Sequence, residues 1–187
     1  FGVEQLNMRA RASVNFTMDD LAEIAKRCEA KNVRSYLTLN TIIYDHDLSV
    51  VKTLINKAKE ANITAVIASD QAVIAMARSV GMEVHISTQL NVTNIETIKF
   101  YSLFADTMVL SRELSLRQVK KITEQIEKEQ IKGPSGNLVE IEIFGHGALC
   151  MAVSGKCYLS LHTANASANR GACVQNCRRT YTVIDNE

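Results

Sequence analysis

The chain has 187 residues, is 47% hydrophobic and carries a formal net charge of +1. That is enough apolar material for one compact domain with a sizeable core, and too balanced a charge for the chain as a whole to be drawn to polyanions. Its longest apolar runs, such as the one around Ala65 to Ala68, fall far short of the roughly 20 residues a membrane-spanning helix needs, and Phe1 begins neither an initiator nor a signal pattern; the expectation is a cytoplasmic protein without a membrane partner, a piece of something longer.

In chain order, Phe1 to Val3 reads as the tail of a strand, and amphipathic helical stretches then alternate with short β-rich runs. Helices are predicted over 18–31, 48–61, 71–80, 95–103 and 116–129, and strands over 35–40, 65–69, 83–88, 107–111 and 139–144. Thr17 ahead of Asp19 and Asp20, Asp70, and Ser115 supply helix-start signals. Pro134, with Gly133, Ser135 and Gly136, marks a surface loop between the last helix and the last strand.

Repeated βα units fit an open doubly wound sheet or a closed barrel. Each predicted strand ends in polar or glycine-rich residues: Asn40-Thr41, Ser69-Asp70, Ser87-Thr88-Gln89, Ser111-Arg112-Glu113 and Gly145-His146-Gly147. A barrel brings such ends to one mouth, whereas an open sheet spreads them. The fold class expected is therefore α/β, a partial TIM-like (β/α) barrel over 1–147, followed by a Cys-rich segment over 148–187 packed on the barrel mouth. Asn40 and Ser69 read more simply as turn residues.

Four of the five cysteines, Cys150, Cys157, Cys173 and Cys177, are spaced C-x6-C-x15-C-x3-C, and Cys28 stands apart on a helical face. Thiolates are soft ligands suited to zinc or iron–sulfur centres. The long gaps do not match the paired knuckles of common structural zinc sites, so a cluster is the first expectation, zinc the second, and a disulfide or a set of buried thiols the remainder. Gly145, Gly147, Gly155 and Gly171 offer the turns and close backbone approach such a centre requires. From Cys150 to Ile184 there is no Asp or Glu, while Lys156, Arg170, Arg178 and Arg179 are present; this reads either as a basic surface for phosphate or carboxylate, or as solvated side chains.

The run from Glu140 through Phe144-Gly145-His146-Gly147-Ala148-Leu149 to Cys150, followed by Ser154-Gly155-Lys156-Cys157 and Ser160, resembles the signature of the U32 family, long classed as collagenase-type peptidases. Asn7-Met8-Arg9-Ala10, Asn15-Phe16, Ser87-Thr88-Gln89 with Asn91, and Leu110 to Leu114 extend the resemblance over nearly the whole chain. It implies a TIM-like barrel with a 4Fe-4S cluster and oxygen insertion into RNA bases or a quinone precursor. The runs at Ser111 to Leu114 and His146 to Cys150 look most like the prephenate-dependent tRNA hydroxylases that form 5-hydroxyuridine at the wobble position. The resemblance thus implies tRNA and a small carboxylate cosubstrate, prephenate, as partners. Some members take a ligand from farther along the chain, which leaves Cys177 the most open of the four.

Within that reading Arg112, Glu113 and His146 are the candidate catalytic residues. The planar fork of Arg112 suits a carboxylate or phosphate, against a rim ion pair with Glu113 as the plainer role. His146 is placed to hydrogen-bond near the cluster or handle a proton. Gln89 and Asn91 are candidates for reading a base edge or hydroxyl, with helix capping the alternative for Asn91. Arg9 and Arg11 are candidate phosphate contacts. A peptidase is the competing expectation, although neither H-E-x-x-H nor G-x-S-x-G occurs; a non-catalytic module with a structural metal is a third.

Overall fold

The structure is a computed structural model that describes residues 1–11, 14–147 and 149–185. Ala148, inside the glycine-rich run before Cys150, lies outside the described residues.

Five short strands, β1 (Tyr36–Leu39), β2 (Ala65–Ala68), β3 (Glu83–Ile86), β4 (Thr107–Val109) and β5 (Glu140–Glu142), form one sheet in the order β1-β2-β3-β4-β5, with every neighbouring pair parallel. Between them run α2 (Leu48–Glu60), α3 (Gln71–Ser79), α4 (Ile95–Tyr101) and α5 (Leu116–Glu129); α1 (Leu21–Glu29) precedes the sheet and α6 (Leu159–Ala164) follows it. The strand order never reverses. A doubly wound sheet must reverse at its switch point, whereas right-handed crossovers in a single direction place all their helices on one face. The arrangement is consistent with part of a TIM-like barrel. All five predicted strands and all five predicted helices form, the first helix opening as a 3-10 turn over Met18–Asp20.

The expected strand tail is also present. The amino group of Phe1 donates to the Tyr36 carbonyl at 3.0 Å, and the Thr38 N–H donates to the Phe1 carbonyl at 2.9 Å, so the opening residues run along the free edge of β1.

Alternation along the strands divides the sheet into two faces. Leu37, Leu39, Val66, Ala68, Val84, Ile86 and Met108 are buried in one core with Val51, Leu54, Ile55, Val73, Ile74, Ala77, Ile98, Ile122 and Ile126 of the helices. Each such aliphatic side chain contributes roughly 1.5–3 kcal/mol over its exposed state. The opposite face is polar. Register lines up Tyr36, Ala65 and Glu83 in one row, and Thr38, Ile67, His85, Thr107 and Glu140 in the next. His85 is only 2% exposed; its Nε2 donates to Glu83 Oε1 at 2.8 Å, its ring packs 4.6 Å from that of Tyr36, and both Glu83 oxygens accept from Arg34 Nη2 at 2.6 Å. An ionic cluster therefore fills this face below the strand ends.

Local signals fix the helix starts. Asp70 accepts from the Ala72 N–H at 2.9 Å, and Ser115 and Gln118 form a reciprocal capping box on α5. The start of α4 belongs to Asn94, which accepts from the Thr97 N–H at 3.0 Å. Asp70 does a second job, since its other oxygen accepts from the Ile43 N–H at 3.2 Å and ties the loop after β1 to α3. No helix among the described residues is long and apolar enough to cross a membrane.

Asp70→Ala removes both bonds and is expected to cost about 1–2 kcal/mol, read as a lower urea midpoint with unchanged slope. Asp70→Asn, which keeps an acceptor oxygen, should lose less than half of that.

Candidate functional site

Parallel strands deliver their carboxyl ends to one side of the sheet, and the segments that follow them meet there. Asn40 after β1 binds two of them, accepting from the Met8 N–H at 3.1 Å and donating to Ser87 Oγ at 3.2 Å. Its role is therefore more than a turn. The loops after β3 and β4 stay joined beyond the strands, where the Ser111 N–H donates to the Val92 carbonyl at 2.9 Å. Over these ends the chain after β5 folds back.

That return is held at several points. Arg112 Nη2 donates to Ser154 Oγ at 2.8 Å and to the Ala152 carbonyl at 3.2 Å. Asn91 Nδ2 donates to the Ser154 carbonyl at 2.8 Å. Farther along, the Ile42 N–H donates to the Asn169 carbonyl and the Arg11 N–H to the Gly171 carbonyl, both at 3.1 Å. Arg170 grips Asp47 at 2.8 Å, donates to the Ile42 carbonyl at 3.0 Å and lies 4.0 Å over the Tyr44 ring. Arg170, read as part of a basic surface, is thus a clamp within the fold; Lys156, Arg178 and Arg179 are the exposed cations of the segment.

Two glycines make the approach close. Gly171 has φ +85°, and a Cβ there would sit 2.5 Å from the Asn7 carbonyl oxygen; Gly155 has φ +70°, and its Cβ would come 3.1 Å from the Gln89 carbonyl oxygen. Any side chain at either position meets both a disfavoured backbone conformation and occupied space.

Between the return segment and the strand ends lies a cavity of about 910 Å³. Cys150, Cys157, Cys173 and Cys177 all line it, together with Arg9, Gln89, Arg112 and His146. Cys157 and Cys173 are half-buried and Cys150 and Cys177 exposed, all four as free thiols. Cys28 is on α1 and takes no part in the lining. Among the described residues no three His, Cys, Asp or Glu side chains form a group able to hold a single metal ion. A tetrahedral zinc holds four sulfurs each about 2.3 Å from one atom; a four-iron cluster takes each thiolate on a different iron and so accommodates a wider ring. All four thiols line this one cavity, and their chemistry is that of the donor set either centre uses.

Other predicted residues fall elsewhere. Glu113 is exposed, does not line the cavity and accepts from Ser111 Oγ, which holds its carboxyl below the usual range. Asn91 is also outside the lining; in a left-handed conformation it serves as the tie to Ser154, and it does not cap α4. Arg11 lines a shallower depression of about 290 Å³ with Cys173, Val174 and Gln175. Arg112 has no carboxylate within ion-pair distance among the described residues, Glu113 included, and its buried Nε has no hydrogen-bond partner. The Arg112 charge reaches Glu113, whose carboxyl it helps to hold down, yet its direct contacts are with neutral oxygens, which leaves the guanidinium face in the cavity wall open to an anion. Sequence reasoning missed Asn169, which is 6% exposed, lines the cavity and leaves Oδ1 unpartnered; nothing in its local sequence sets it apart from a turn asparagine.

Five parallel strands joined by helices, with a cavity over their carboxyl ends, define an α/β protein consistent with part of a TIM-like fold. Residues 1–187 match the profile of peptidase family U32, and the chain belongs to that family, as the motifs around Cys150 implied. It is 58% identical over its whole length to a collagenase of Porphyromonas gingivalis, covering 45% of that protein. It is 34% identical over 95% of its length to the 23S rRNA 5-hydroxycytidine C2501 synthase of Escherichia coli, covering 26% of it. Over its full length it is also 30% identical to tRNA hydroxylation protein P1 of Bacillus subtilis, covering 42% of it. The chain thus spans less than half the length of these relatives. No solved structure matches it.

Gly171→Ala is expected to loosen the return segment and raise the alkylation rate of Cys157 and Cys173 by about tenfold or more, read by mass spectrometry after timed iodoacetamide labelling. The Asp47 carboxyl is held below its ordinary pKa of 3.8, chiefly by the Arg170 hydrogen bond. Because the folded pKa lies below the unfolded one, the pair's contribution is complete above the ordinary carboxylate range and is lost as pH falls through the lowered value. Asp47→Asn should therefore cost on the order of 1–2 kcal/mol at pH 7, and the gap between variant and wild type, followed by urea unfolding, should close as the pH drops below about 4.

Proposed function

We propose that this chain carries the substrate and cluster pocket of an RNA-base hydroxylase, acting on tRNA with a small carboxylate cosubstrate such as prephenate. The observation that carries the reading is the one cavity that gathers all four clustered cysteines with an Arg112 guanidinium whose direct hydrogen bonds go to neutral oxygens. The named functions of the Bacillus subtilis and Escherichia coli relatives, tRNA hydroxylation and 5-hydroxycytidine synthesis, support RNA as the substrate class.

Hydroxylation of an unactivated ring carbon needs redox chemistry that ordinary side chains lack. Cys150, Cys157, Cys173 and Cys177 would hold a 4Fe-4S cluster, which supplies electron-transfer capacity when bound. Arg112 binds the cosubstrate carboxylate, oriented by its bonds to Ser154 and Ala152. His146, exposed on the cavity wall, handles a proton on the RNA side. Arg9 and Arg178 on the rim meet phosphates.

A second reading is peptidase activity, favoured by the name of the 58% identical relative. Nucleophilic hydrolysis requires a Ser or Cys paired with a base. Among the described residues the histidine side-chain pairings are with Glu83 and Asp47, neither with a nucleophile.

Full-length protein purified without oxygen is expected to be brown with visible iron–sulfur absorbance. Cys150→Ala and Cys157→Ala should abolish the colour, while Cys28→Ala retains it. Deleting the gene should erase 5-hydroxyuridine derivatives from tRNA nucleosides measured by mass spectrometry, and Arg112→Ala should restore less than about a tenth of them. An unchanged nucleoside profile in the deletion strain sinks the hydroxylase; gelatin cleavage by pure protein, abolished by one nucleophile substitution, would establish the peptidase.

A further inference from the structure

We infer that Asn169 is a specificity residue whose side-chain amide reads the N–H and adjacent carbonyl of a uracil ring inserted into the cavity. This rests on the RNA reading above and deepens it by naming the group that reads the base. Four observations converge on this residue.

Asn169 is 94% withdrawn from solvent, its residual exposure being 6%. Its Oδ1 is buried with no hydrogen-bond partner. Leaving a buried acceptor unpaired costs about 1–3 kcal/mol, and native folds retain such groups where a ligand or functional constraint completes them. The side chain lies on the wall of the same cavity as the four cysteines. Finally, its backbone is fixed on the carboxyl side: the Asn169 carbonyl accepts from the Ile42 N–H at 3.1 Å, and the next residue, Arg170, is locked onto Asp47 at 2.8 Å. The amide is presented by a rigid mount.

An amide offers one acceptor and one donor side by side. Its complement is a ligand edge with an N–H next to a carbonyl, which the uracil imide supplies. Single-stranded RNA bases are recognised through such edges once they leave the stack, and enzymes acting on a base bring it into a pocket and read it there. Gln89, on the strand-end wall of the same cavity with an unpartnered buried Oε1, is a second amide available to the ring. Arg112, on the strand-end wall, is left for the carboxylate.

The test compares uridine with 3-methyluridine, in which the ring N–H is replaced by a methyl group, by titration calorimetry on full-length protein. Wild type is expected to bind uridine about tenfold more tightly than 3-methyluridine, the effect of one lost hydrogen bond. Asn169→Leu should bind both at the weaker level while keeping the circular dichroism and melting behaviour of a folded protein. Equal binding of the two nucleosides by wild type, no saturable binding of either, or discrimination that survives in folded Asn169→Leu overturns the proposal. The wild-type comparison stands even where the variant fails to fold. The deletion strain separates this from the hydroxylase reading: lost tRNA hydroxylation with equal nucleoside binding removes Asn169 alone, whereas intact hydroxylation with tenfold discrimination removes the hydroxylase and leaves a uracil site.

Discussion

Everything distinctive about this chain depends on the docking of the segment after β5 over the strand ends. The sheet and helices share one core that includes Val51 and Ile126 and draws on no residue of that segment. The strand ends alone would make only one wall of the cavity. The cavity exists because residues 149–177 form its second wall, and they hold that position through polar ties and glycine contacts in place of a large apolar interface. Leu149, Met151 and Tyr158 are among the most exposed apolar residues of the molecule, so hydrophobic burial contributes little here.

That choice of forces has a consequence for thiol chemistry. A segment fastened by charged and amide hydrogen bonds has many small free-energy terms and no single dominant one. Each tie lies within three residues of a cysteine or between two of them in sequence: Ser154 before Cys157, Gly171 before Cys173, Arg170 in the C-x15-C gap. The barrel loops therefore set the spacing of the thiols from outside the segment. The same loops supply Arg112 and Gln89, so these two cavity-lining side chains and the thiols are positioned by one set of ties.

Much of this was legible in sequence because it is local. Period-2 and period-3.6 patterns gave all five strands and the first five α-helices, the short α6 (Leu159–Ala164) escaping them, and Asp70 and Ser115 marked their helices because capping is read within four residues. The cysteines stood out by chemistry and spacing, and the motif around them by resemblance. What escaped was long-range pairing. Asn91 looked like a cap or a base reader and is a tie to Ser154, 63 residues away. Arg170 looked like free positive charge and is paired with Asp47 across 123 positions. Glu113 looked like part of a catalytic run, but the strand end turns its side chain back to Ser111 and away from the cavity.

The two arginines show why such residues cannot be sorted by type. Arg170 and Arg112 are both half-buried guanidiniums contacting the return segment's surroundings, yet one faces Asp47 and an aromatic ring while the other meets only neutral oxygens. A buried cation with a carboxylate and a ring has its charge compensated. A cation whose direct partners are one hydroxyl and one carbonyl, with the nearest carboxylate, Glu113, acting only at longer range, is less fully compensated. Placement of compensating charge, more than the arginine itself, separates the clamp from the site.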